Sequence, residues 1–80
     1  MQIKVITFAS LKPFFPKENL IELPENSTVN DLMNYLIGLN PGSKSILGIS
    51  MVAINEILVD KDRIIKDRED IYLLPPVSGG

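Results

Sequence analysis

The 80-residue chain reads as a small α+β domain, one mixed sheet packed on one amphipathic helix. Three observations predict this. Short β-branched runs stand near both ends and in the second half of the chain. One segment alone, Val29 to Leu39, carries an apolar face at helical spacing. Hydrophobic residues at 45% and charged residues at 22% match a folded protein of one domain.

Ile3 to Phe8 alternates, with Ile3, Val5 and Thr7 on one face and Lys4, Ile6 and Phe8 on the other. Apolar residues on both faces predict a strand inside its sheet. Pro13 and Pro16 break regular structure, so Leu11 to Glu18 is expected to be a loop. Asn19 to Leu23, closed by Pro24, fits a strand antiparallel to the first. Ser27 or Thr28 can cap the helix, and Asp31 stands where a capping box needs an acceptor. Val29, Leu32, Met33, Leu36 and Ile37 then form one helical face. Gly38 and Asn40-Pro41-Gly42 are the expected stop. Ser43 to Ser50 fits a helical turn or a buried loop equally. Met51 to Ile54 and Ile57 to Val59 read as a hairpin around Asn55-Glu56, and Asp70 to Leu74 as the last strand.

The composition excludes several functions. A chain this short buries roughly 60–65% of its unfolded surface, too little for a core and an enclosed active site together. A net charge of −2 argues against nucleic acid as the main partner. No apolar run approaches the ~20 residues of a membrane helix, and MQIKVITFAS does not read as a signal peptide, so a cytoplasmic location is expected. Cysteine and histidine are absent. Thiol nucleophiles, Cys-ligated zinc and the commonest general base go with them.

The chemistry is expected in the tail, Pro75-Pro76-Val77-Ser78-Gly79-Gly80. The proline pair ends the strand and favours extended backbone, projecting the last four residues away from the sheet. Residues 1–76 are therefore read as the folded domain and 77–80 as an extended tail. Gly79 and Gly80 have no side chains, so the end can thread a narrow channel and offer its carboxylate to a reactant. That carboxylate is inert until activated, most simply as an acyl adenylate. No GxxxxGK[ST] phosphate loop is present, so ATP must be used by a separate enzyme.

Several segments carry a family likeness. Phe8-Ala9-Ser10-Leu11-Lys12 resembles F-A-x-[LV]-[RK], and Thr28-Val29 with Leu32 resembles T-V-x-x-L. Val52-Ala53-Ile54-Asn55-Glu56 is similar to V-A-V-N-G/E, and Asp67 to Ile71 to D-G-D-E-[VI]. Leu74 to Gly80 resembles F-P-P-V-[SA]-G-G, the most specific of these. By these motifs the chain resembles the MoaD/ThiS family of ubiquitin-like sulfur carriers, on its molybdopterin synthase side.

The resemblance implies a β-grasp fold and a non-catalytic carrier subunit of a sulfurtransferase complex. An E1-like, MoeB-like adenylyltransferase would activate Gly80, which becomes a thiocarboxylate (a 1-thioglycine). Its sulfur would pass to cyclic pyranopterin monophosphate in a MoaE-like large subunit, the pair of chains forming a heterotetramer. Gly80 and Gly79 are the implied reactive residues, and Pro75, Pro76, Val77, Ser78, Phe8 and Lys12 the implied partner-binding ones. No bound cofactor or metal is implied. Two other sulfur acceptors fit the family, thiamine thiazole and tRNA uridine. A protein modifier joining Gly80 to lysines fits the same activation.

Arg68 departs from the family by standing where glycine is frequent, so a changed turn is expected there. Phe14-Phe15, between two prolines, replaces a more polar loop, and at least one ring is expected to cover the core edge. The acids Asp60, Asp62, Asp67, Glu69 and Asp70 lack calcium-loop spacing and alternate with basic residues, which reads as a solvated charged loop.

Overall fold

The computed structural model describes residues 1–76. Five strands, β1 (Gln2–Thr7), β2 (Glu18–Glu22), β3 (Met51–Ile54), β4 (Ile57–Val59) and β5 (Asp70–Leu74), share one sheet in the order β2-β1-β5-β3-β4. β1 and β5 are parallel and every other pair is antiparallel. With helix α1 (Val29–Leu39) across one face, this is the β-grasp arrangement. No helix among the described residues is long and apolar enough to cross a membrane.

The core lies between α1 and the inner sheet face. Val29, Leu32, Met33 and Leu36 on the helix meet Ile3, Val5, Val52, Ile54, Ile71 and Leu73 on the strands, all buried. Each such side chain stabilises by about 1.5–3 kcal/mol. Thr7, also buried there, donates its hydroxyl to the Pro16 carbonyl at 2.9 Å, so its polar atom is satisfied.

The expected capping box forms. Asp31 N–H donates to Thr28 Oγ1 and Thr28 N–H donates to Asp31 Oδ2 at 2.9 Å. The first free amides of α1, on Val29 and Asn30, donate to the carbonyls of Arg63 and Lys61. The loop between β4 and β5 is thereby tied to the helix start.

Four details depart from the sequence reading. The helix passes through Gly38 and stops at Asn40, since an exposed glycine weakens a helix without ending it. Of the two readings of Ser43 to Ser50 the helical turn holds, as a second short helix α2 (Lys44–Gly48) with Leu47 fully buried, and the departure is only that α1 is not the single helix. The connection after β1 opens with a 3-10 turn, Ala9–Leu11, that buries Leu11. Phe8 lies just past β1, which runs Gln2–Thr7, and β2 starts at Glu18 rather than Asn19, because Lys17 and Thr7 already pair across the strands. Phe15 is buried and Phe14 half-buried, as expected of a ring pair covering the core edge.

Arg68, standing where the family motif has glycine, adopts the left-handed conformation that glycine favours, with φ 65°, and its N–H donates to the Gln2 carbonyl at 2.8 Å. A left-handed L-residue costs about 1–2 kcal/mol, and glycine returns roughly half of that as backbone entropy. The Arg68 side chain is 90% exposed and meets Asp67 only at 3.9 Å, so little is lost with it. Arg68→Gly is therefore expected to stabilise the domain by about 0.5–1 kcal/mol. A urea midpoint equal to or below that of the unsubstituted protein would contradict this.

Candidate functional site

β5 is the central strand and delivers the chain to the tail. Alternation along it puts Ile71 and Leu73 into the core and Tyr72 and Leu74 on the outer face. Pro75 comes next, buried, and Pro76 is exposed. Neither proline can extend the ladder, so the strand ends where the sequence places its stop. Val77, Ser78, Gly79 and Gly80 lie outside the described residues.

Cross-strand register assembles the surface around this exit. Tyr72 stands opposite Ile6 on β1 and Ala53 on β3, Ala53 opposite Leu58 on β4, and Met51 opposite Leu74. Phe8 continues from β1 beside Leu74 and lies parallel to Tyr72, with ring centroids 6.1 Å apart at 11°. Such a pair adds about 0.5–1.5 kcal/mol beyond its burial. Leu58 is 56% exposed, Met51 58% and Tyr72 37%. The face is apolar, open to solvent and continuous with the tail exit. A shallow groove on it is lined by Phe8, Ala53, Glu56, Leu58, Tyr72 and Leu74.

The predicted site residues thus divide. Phe8, half-buried, lines the groove next to the strand that ends in Pro75. Lys12 does not line it; it is an exposed residue closing the 3-10 turn, and it is absent from the ion pairs among the described residues. Tyr72, Leu58, Ala53 and Met51 went unnoticed in the sequence as site residues. The signal was available, since alternation on β3 and β5 puts apolar residues on both faces of strands that only one helix layer covers.

The charged loop is more ordered than its composition suggests. Arg63 binds Glu69 through two hydrogen bonds, Nη2 to Oε2 at 2.9 Å among them, and Lys66 N–H donates to Glu69 Oε1 at 2.7 Å. The Arg63 hydrogen bonds hold the Glu69 carboxyl below the usual carboxylate range. Glu69 N–H and O complete this lock, the carbonyl accepting from Lys4 N–H at 3.1 Å and so tying the loop to β1.

The sequence profile of the ThiS family matches residues 5–80. The chain belongs to the ThiS family. The molybdopterin synthase sulfur carrier subunit of Dictyostelium discoideum is 35% identical over 99% of this chain and 96% of its own length. Among solved structures, SAMP1 from Haloferax volcanii superposes with a TM-score of 0.87, each chain fully covered, at 21% identity, which speaks to the shared fold. The complex of subunits 1 and 2 of the molybdopterin-converting factor from Helicobacter pylori contains a chain 30% identical to this one. That match covers both chains fully, with a TM-score of 0.70.

Proposed function

We propose that this ThiS-family protein is the sulfur carrier of molybdopterin synthase, working through the main-chain carboxylate of Gly80. The carboxylate attacks the α-phosphate of ATP on an E1-like enzyme, giving an acyl adenylate and pyrophosphate. The terminal sulfur of a protein persulfide attacks the acyl carbon and displaces AMP, and a thiol then reduces the resulting acyl disulfide, leaving a disulfide on the donor and the thiocarboxylate on Gly80. In the large subunit that sulfur attacks cyclic pyranopterin monophosphate, and the carrier returns as the free carboxylate once water cleaves the acyl–sulfur bond. A thiocarboxylate is the better nucleophile, and covalent carriage spares the cell free sulfide.

The observation that carries this reading is the full-length likeness to a molybdopterin synthase sulfur carrier subunit. The fold supports it by ending the central strand at Pro75-Pro76 beside an apolar outer face. In this reading that face docks the partner while residues 77–80 enter its active site. Gly79 and Gly80 make close approach possible, and Pro75, Pro76, Val77 and Ser78 set the reach, which is about 13 Å from Pro76 to the end. Lys12 meets the partner at its rim. The carrier holds no cofactor, ATP belonging to the activating enzyme, and it works in the cytoplasm as part of a heterotetramer.

Incubation with ATP, the cognate activating enzyme and a sulfur donor is expected to raise the intact mass by about 16 Da, the exchange of one oxygen for sulfur at the activated acyl group. Fragmentation should place the change on Gly80. An unchanged mass accompanied by lysine adducts would replace the carrier reading with the modifier one.

A further inference from the structure

We infer that the groove on the outer sheet face receives an arginine side chain of the large synthase subunit, and that Glu56 recognises it. The inference rests on the carrier reading above. Ala53 leaves the groove open between two larger cross-strand neighbours, Tyr72 and Leu58. Because β3 and β5 are antiparallel, Leu74 and the tail exit lie at one end of the groove. The hairpin tip with Glu56 lies at the other. The result is an apolar trough bearing a carboxylate at its far end.

That carboxylate is uncommitted, since the ion pairs among the described residues are Arg63–Glu69 and Arg68–Asp67. Its backbone is also held against preference. Asn55 and Glu56 have φ 55° and 63°, the two left-handed positions of a type I′ turn, where Asn-Gly is favoured. Glu56 thus stands at a turn position better suited to glycine while lining the groove.

Arginine fits these features better than other cations. Its alkyl stem covers apolar surface, its planar guanidinium stacks on aromatic rings such as Tyr72, and its fork binds a carboxylate bidentately. A lysine would use the carboxylate but not the rings to the same degree.

Binding of the cognate large subunit to Glu56→Gln, Glu56→Gly and Tyr72→Ala tests the assignment by calorimetry at two salt concentrations. Each variant is expected to bind about tenfold more weakly, equivalent to ~1.4 kcal/mol, and both Glu56 variants with a flatter salt dependence. Glu56→Gly should meanwhile raise Tm by roughly 4 °C through relief of the turn, which separates lost recognition from lost folding. Treating the large subunit with phenylglyoxal, which blocks arginines, should erase the difference between the unsubstituted protein and Glu56→Gln. Equal binding by the unsubstituted protein and both Glu56 variants would overturn the inference, as would a difference that survives phenylglyoxal. Failure of the unsubstituted protein to bind the large subunit would overturn the carrier reading beneath it as well.

Discussion

One alanine added after Gly80 is expected to abolish sulfur transfer while leaving thermal unfolding unchanged. In the proposed mechanism the reacting atom is the main-chain carbonyl carbon of Gly80, and an extra residue moves the free carboxylate by about 3.3 Å. Errors of about 1 Å in a reacting group already cost about 100-fold. With neither cysteine nor histidine in the chain, no thiol or imidazole could take over the carriage. Dithiolene product formed in a reconstituted synthase should therefore fall below about 1% of the unextended level. The position lies beyond the final strand, so circular dichroism and Tm should match. Product formation at the normal rate by the extended chain would end the case for a reacting terminus.

The largest expected loss of stability comes from Leu73→Ala. Leu73 is fully buried on the central strand and stands opposite Thr7 on one side and Val52 on the other. Removing its isobutyl group takes away transfer energy and leaves a cavity that both neighbouring strands frame. A loss of about 3–5 kcal/mol is expected. Small domains sit at the lower end of the usual range of about 5–15 kcal/mol, so much of the variant should be unfolded at physiological temperature. Urea denaturation measures the difference, with Ile57→Ala as reference because Ile57 is 65% exposed. A loss below about 1 kcal/mol would mean the sheet centre is not the keystone of the core.

How far the sequence carried these conclusions depended on the kind of physics involved. Val29–Leu39 was readable to the residue because the capping box and the helical period both act locally. The last strand was readable because prolines punctuate it. Lys44–Gly48 stayed open between a helical turn and a loop, since five residues give barely one turn of periodicity and Leu47 is held by tertiary burial. Strand order was out of reach of any local rule, and with it the outer-face neighbours Tyr72, Ala53 and Leu58. The left-handed backbone of Arg68 was not legible from its residue type, because arginine carries no preference for it and the N–H to Gln2 contact that accompanies it joins residues 66 positions apart.

The pairing of β1 with β5 bears on how the protein is made. Lys4 stands opposite Asp70, so the earliest strand to leave the ribosome waits for nearly the latest one. Until Asp70–Leu74 has been translated, β1 and β3 have nothing between them, and the sheet exists only as two separate hairpin-like halves. Chains interrupted before that point are expected to stay unfolded and be cleared by proteases.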